Sequence, residues 1–265
     1  MLAYPGLTAA VVLAFMTALF LMALARRDNS IIDIAWGPGF LLVAGLHLAL
    51  PPAPTPRQIL VSVLILVWAA RLALHLARRA KGRGEDFRYA AWRKAWGRWF
   101  LLRSYLQIFL LQGAFLLLVA LPLPIVHAAP PVPWTALDAA GLALWAFGFA
   151  FESAADAQLV RFRKNPERRS RFLTTGLWRW SRHPNYFGEA IQWWGLFLIA
   201  ASVPGGWRAV ISPLVITLLL RYVSGVPLLE RKHKGDPEFQ AYAARTNAFW
   251  PWFPKAERRL APRVP

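Results

Sequence analysis

The residue types best suited to chemistry crowd into the run Gly176-Leu-Trp-Arg-Trp-Ser-Arg-His-Pro-Asn-Tyr-Phe-Gly-Glu189. Arg179, Arg182, His183, Asn185, Tyr186 and Glu189 bring cationic donors, an imidazole, an amide, a phenol and a carboxylate to one short stretch between two apolar segments. His183-Pro184 reads as the end of an extended turn, because the residue before proline is pushed away from helical geometry and proline fits a helix's first turn. A helix starting near Pro184 aims unpaired backbone N–H groups and the positive end of its dipole at the gathered arginines. That arrangement suits a phosphate or another anion.

Other polar groups interrupt apolar sequence, where ionisable residues are costly and therefore functional candidates. Glu152 and Asp156, four apart, share one helix face, with Gln158, Arg161 and Arg163 following. Asp33 lies in Asp33-Ile-Ala-Trp-Gly37, just after Arg26-Arg27-Asp28-Asn29-Ser30. Arg71 and His75 share a face by the same four-residue spacing. In Lys81-Gly-Arg-Gly-Glu-Asp-Phe-Arg-Tyr89 the glycines let backbone approach a ligand, while Arg83, Glu85, Asp86, Arg88 and Tyr89 offer paired donors and acceptors. Each group also has an ordinary use: an internal salt-bridge cluster for Glu152 and Asp156, a helix-start acid for Asp33, snorkelling for Arg71, an interfacial loop for 81–89. No G-x-G-x-x-G, nucleophile elbow or His pair at metal-ligand spacing is present, so the expectation for metal is none.

The elements that must position these residues are membrane helices. With 57% hydrophobic residues and a mean hydropathy of +0.37, the 265-residue chain is too apolar for soluble domains, and apolar runs of bilayer-crossing length recur along it. The pattern predicts an all-α polytopic protein with seven helices at about 5–25, 31–50, 57–78, 101–122, 134–158, 186–203 and 207–227. These form a single domain over 1–253, followed by a basic, Pro-rich tail at 254–265. Pro51, Pro52, Pro54 and Pro56 make one stiff loop, Pro122 to Pro133 another, and Pro204-Gly205-Gly206 a tight turn. The first run lacks a basic leader and an Ala-x-Ala site, so it reads as a retained helix.

A formal net charge of +18 points to nucleic acid or to a membrane surface, and position decides. Arg26 and Arg27, Arg78 to Arg103, Arg161 to Arg182 and everything after Arg231 fall on one face; only Arg57 and Arg208 fall on the other. The asymmetry obeys the positive-inside rule, with the N-terminus outside, the C-terminus cytoplasmic and no nucleic-acid partner. Membrane lipid is an expected partner, and an apolar cavity among the helices would admit a lipophilic small molecule. With no cysteine, thiol chemistry is excluded. The residues by themselves define a cytoplasmic-side site for a phosphate-bearing or otherwise anionic ligand.

These motifs resemble the bacterial membrane proteins carrying the domain of unknown function 1295, within the steroid 5-alpha-reductase superfamily. The likeness runs through Asp33-Ile-Ala-Trp-Gly37, Arg83-Gly-Glu-Asp-Phe-Arg-Tyr89, Phe151-Glu-Ser-Ala-Ala-Asp156, Gly176 to Glu189 and Thr246-Asn-Ala-Phe-Trp-Pro-Trp-Phe-Pro-Lys255. It implies a seven-helix bundle in the bacterial inner membrane that binds NADPH from the cytoplasmic side. It also implies hydride delivery to an activated carbon–carbon double bond of a steroid- or isoprenoid-like substrate. By the same resemblance Asp156, Arg163, Arg171, Asn185 and Glu189 fall on cofactor positions with Gly176 beside them. Arg83 falls in the corresponding basic loop, and Arg182, His183 and Tyr186 join the cofactor set from the central motif. The reductases polarise a substrate carbonyl with a tyrosine and a glutamate, and a group that stabilises the developing enolate oxygen lowers the barrier. Here Trp36 stands at the glutamate position and Trp68 near the tyrosine position. Asp33 and Tyr89 are the expected substitutes.

Two rival expectations stand beside the reductase. Arg182-His-Pro-x-Tyr186 followed by Gly188 also resembles the motif of membrane methyltransferases of the isoprenylcysteine type, which use S-adenosylmethionine, although Arg231 follows Glu230 where those proteins carry a Glu-Glu pair. The other rival is a lipid-binding protein that kept the fold and lost catalysis.

Overall fold

The long apolar runs wind into helix, and proline opens most of the helices. The structure, a computed structural model, describes residues 4–50, 53–80, 82, 84–167 and 169–255. In chain order the helices are α1 Pro5–Arg26, α2 Ile31–Ala49, α3 Pro56–Ala80 and a continuous helical segment α4, Phe87–Val119. Then come α5 Pro122–Ala128, α6 Ala136–Lys164, α7 Pro184–Ala201, α8 Gly206–Arg231 and α9 Pro237–Arg245. No strand occurs among the described residues. Proline in the first turn starts a helix at no cost because its missing N–H would lack a partner there anyway. Asp86 and Asp236 cap α4 and α9 by accepting the Arg88 and Glu238 amides.

Five helices, α1, α2, α3, α4 and α8, are long and apolar enough to cross a membrane. They fit an integral membrane protein. The expected fifth and sixth helices form as α6 and α7, but both fall short of that apolarity: α6 carries Asp138, Glu152 and Asp156, and α7 carries Asn185, Glu189 and Gln192.

Several boundaries differ from the sequence reading for physical reasons. The helix expected at 101–122 begins at Phe87, because its first turns are amphipathic, with Trp92, Trp96 and Trp99 among Arg88, Arg93, Lys94 and Arg98. Part of the expected proline loop winds into α5, with proline in its first turn. Two stretches of α4 and α8, Ser104–Leu110 and Leu219–Val223, take the wider π winding. Of the expected tail, only Pro254 and Lys255 lie within the described residues.

The chain divides into two compact units, the first from the described residues of Met1–Ala139 and Leu196–Val215, the second from those of Ala140–Gly195 and Ile216–Pro265. In the first, α2 lies along α3 while α1 and α4 close around a core that includes Met16, Ile32, Phe40, Ile65, Trp68, Phe109 and Leu116. Arg57, expected at a membrane face, is buried: its guanidinium grips Asp138 at 2.8 Å and the carbonyls of Val132 and Pro133. In the second unit α6 and α7 touch backbone to backbone. A Cβ added at Gly188 would stand 2.6 Å from the Glu152 nitrogen, and one at Gly148 would stand 2.6 Å from the Gly188 carbonyl oxygen. That contact brings the acids of α6 against the amides of α7.

Candidate functional site

Each unit gathers predicted site residues into a polar cluster. In the second, the central motif forms a turn that leads into α7 at Pro184, as the sequence predicts. Arg182 faces inward. Its Nε and Nη2 donate to Glu230 at 2.8 and 2.9 Å, and its Nη1 donates to the carbonyls of Ala243 and Thr246. His183 Nε2 pairs with the same carboxylate at 3.1 Å, and its ring stacks on Tyr186 with centroids 5.5 Å apart. Burial pushes the His183 pKa below its ordinary value, outweighing the opposing pull of Glu230. The segment 246–255 is strapped to this turn. Arg182 N donates to the Asn247 carbonyl at 2.8 Å, Ser181 Oγ to that of Phe249 at 2.8 Å, and Trp252 N to that of Trp180 at 3.0 Å. The Tyr242 hydroxyl donates to the Trp178 carbonyl, and burial raises its pKa.

In the first turn of α7, Asn185 Nδ2 donates to Asp156 Oδ1 at 3.2 Å, while Asn185 Oδ1 is buried with no hydrogen-bond partner. Asp156 and Glu189 are both buried, and deeper along the same helix pair Gln192 donates to Glu152 at 2.7 Å. Two residues beyond Asp156, Gln158 helps line an open cleft of about 420 Å³ with Arg161, Asn165, Thr175 and Gly176 among its other walls. Gly176 sits at φ +62°, and a Cβ there would come within 2.6 Å of Gln158 Oε1, which accepts the Leu177 amide. A left-handed, sterically closed position of this kind admits glycine alone without strain. Arg163 is exposed on the last turns of α6. Arg171 is 71% exposed and reaches Asp236 at 2.7 Å. Arg83 lies outside the described residues.

In the first unit the two expected catalytic residues meet. The Tyr89 hydroxyl donates to Asp33 Oδ1 at 2.6 Å, and Arg88 Nη2 reaches Asp33 Oδ2 at 2.5 Å. Arg88 Nε also binds Asp86 Oδ1 at 2.8 Å; burial would raise the Asp86 pKa, but the Arg88 side chain, amide and charge hold it below the usual carboxylate range. Glu85 completes the loop's anchorage through Arg93 and the Asn29 amide. Of the two tryptophans that the resemblance singled out, Trp36 donates to Gln112 Oε1 at 2.5 Å, and Trp68 is 2% exposed, packed edge-on to Phe40.

The structure thus joins Asp156 to Asn185, His183 to Tyr186, and Asp33 to Tyr89. It turns Arg182 and His183 toward Glu230 and the C-terminal segment. Asn165 and Thr175, which also line the cleft, were missed by sequence reasoning, because neither sits in one of the motifs or clusters of charged, aromatic and amide residues that it weighed. Their placement after the last turn of a polar-ended helix and directly before Gly176 was the available signal.

A family model described as "Protein of unknown function (DUF1295)" matches residues 19–246, a range that contains every one of these site residues. An uncharacterised protein of Schizosaccharomyces pombe is 31% identical over 167 residues, covering 55% of this chain. The match spans about half of that relative's length, 48%.

Proposed function

The chain belongs to the DUF1295 family, and from that premise we propose that it is a membrane-embedded NADPH-dependent reductase of the steroid 5-alpha-reductase type. Its substrate is a lipophilic unsaturated molecule, steroid- or isoprenoid-like. The observation that carries the reading is Asn185, whose Oδ1 is buried without a donor beside Asp156. A buried acceptor left unpaired is costly, and a nucleotide amide or ribose hydroxyl would satisfy it. The neighbouring residues fit the rest of such a ligand. Arg161 lines the cleft with a cation suited to phosphate, Asn165 and Thr175 add polar groups, and Gly176 keeps its wall low. Arg163 and Arg171 supply further exposed cations, and Arg83 belongs to the same proposed set through the resemblance. Arg182, His183 and Tyr186 shape the turn from behind rather than contact phosphate.

The nicotinamide nucleotide supplies the hydride. The protein holds a proton at Tyr89 Oη, oriented by Asp33, which Arg88 keeps in place. The Tyr89 phenol, set beside the Asp33 carboxylate, supplies the proton that completes saturation of the double bond. The orientation proposed is N-terminus outside and C-terminus cytoplasmic, in the bacterial inner membrane, with α6 and α7 completing seven spans by pairing their acids and amides inside the protein. A second reading, methyl transfer from S-adenosylmethionine, draws on the meeting of Arg182 and His183 with Glu230. Arg231 at the next position weighs against it.

Nucleotide fluorescence titration tests the assignment of Asn185. Asn185→Ala should weaken NADPH binding by about tenfold, or about 1.4 kcal/mol, with an unchanged thermal transition. Equal affinity in the two proteins removes Asn185 from the cofactor site.

A further inference from the structure

Four helices of the first unit each bring one polar side chain to a single spot: Thr8 from α1, His47 from α2, Ser62 from α3 and His127 from α5. His47 and Ser62 are fully buried and Thr8 nearly so, and His127 is half-buried. His47 Nε2 lies 3.1 Å from Thr8 Oγ1, and His127 Nε2 lies 3.1 Å from Ser62 Oγ. The two imidazole rings are neighbours, with centroids 5.3 Å apart and planes at 53°. Both Nδ1 atoms are buried and neither has a hydrogen-bond partner.

The hydrogen bonds fix the tautomer of His47. Thr8 Oγ1 donates its one proton to the Tyr4 carbonyl at 2.9 Å, so it can only accept from His47. Nε2 of His47 therefore carries the proton and Nδ1 presents a bare lone pair. A hydroxyl that orients one ring nitrogen while the other is left as a lone pair is the arrangement found behind metal-ligating histidines. On the adjacent ring, with Ser62 Oγ accepting from His127 Nε2, Nδ1 is a second bare nitrogen, and the two rings together give two neutral donors. Two uncharged nitrogen ligands suit a monovalent, two-coordinate cation, since a divalent ion requires more ligands and anionic compensation. No group of three or more His, Cys, Asp or Glu able to hold a metal occurs among the described residues.

We propose that Nδ1 of His47 and Nδ1 of His127 form a binding site for a soft monovalent d10 cation, Cu(I) or its analogue Ag(I), independent of the nucleotide site. Gln58 supports it by donating to the Val126 and His127 carbonyls, which holds α5 against α3. The competing occupant is a buried water bridging the two nitrogens.

The experiment loads the detergent-purified full chain with Ag(I) in chloride-free buffer, removes excess metal by desalting, and counts retained silver by mass spectrometry. The wild type should retain about one ion per chain. His47→Gln and His127→Gln should each weaken retention at least tenfold, while His233→Gln, at a histidine packed on Phe172 and Phe239, should retain it. X-ray absorption on the Cu(I)-loaded wild type, which does not depend on any variant folding, should show imidazole nitrogen neighbours and no sulfur. With no cysteine and three methionines in the chain, sulfur scattering would assign the metal elsewhere and overturn the proposal. Failure of the wild type to retain silver, or equal retention by the two histidine variants, would also overturn it and leave a water-filled polar pocket. None of these readouts depends on NADPH binding or turnover.

Discussion

Asp33 and Tyr89 are 56 residues apart in sequence and 2.6 Å apart at their oxygens. Both were readable as candidates because each interrupts apolar or loop sequence with a group that can move a proton. Their pairing was not, since nothing in local spacing records which loop folds onto which helix start. The same limit hid His47 and His127, whose contact crosses helices, whereas a spacing rule sees ligands within one element. Arg182 shows the converse: its type and position fit an anion, but a carboxylate of the same chain already fills its fork. Gly176 was legible as part of a motif, and its φ of +62° gives the reason. Gly176→Ala should cost about 1–2 kcal/mol from the left-handed conformation alone and lower the thermal midpoint by several degrees. An unchanged midpoint would mean that Gln158 and the turn relax freely. His183 sets a pH dependence. Because burial lowers its pKa, the unfolded chain gains a proton at a higher pH than the folded one, so its contribution is complete above about pH 6.5 and is lost as pH falls through the folded-state value. Thermal midpoints measured between about pH 7.5 and 5.5 should fall with acidity in the wild type and fall less steeply in His183→Gln. Parallel curves would contradict the burial argument.

At the scale of elements, most helices were legible from apolar runs and proline punctuation, and two exceptions, the start of α4 and the whole of α9, share a cause. The first turns of α4 mix tryptophan with arginine, and α9 is short and polar, so neither produces an apolar run. Capping aspartates mark both starts, which makes Asp86 and Asp236 the signals that could have found them. The extended segment 246–255 could not be placed from sequence, because what holds it is a set of backbone bonds to residues 180–182 and the Arg182 fork. Arg182 is 11% and Glu230 19% exposed, and removing one member of a buried pair strands the other. Arg182→Ala should therefore destabilise the protein by about 3 kcal/mol and release the segment. Limited proteolysis checks this: cleavage within 246–255 should be much faster in the variant, and an unaltered digestion pattern would show that the aromatic contacts hold the segment unaided.

Across the whole molecule, class and function were legible to different depths. Five helices of crossing length announce a membrane protein, and 31 Lys and Arg distributed unevenly between apolar runs propose its orientation. The expected seven spans hinge on α6 and α7, whose acids and amides lower their apolarity. Of the residues that lower that apolarity, Asp156, Asn185 and Glu189 belong to the candidate site, whereas Asp138 pairs with Arg57. The division into two units depends on long-range contacts and left no mark in composition. Nicotinamide nucleotide binding is the claim on which the reductase reading stands. Calorimetric titration of the detergent-purified protein with NADPH, NADH and S-adenosylmethionine in parallel tests it most directly. The reductase reading predicts saturable heat from a nicotinamide nucleotide and none from S-adenosylmethionine. Heat from S-adenosylmethionine alone, or silence from both nicotinamide nucleotides, would contradict it.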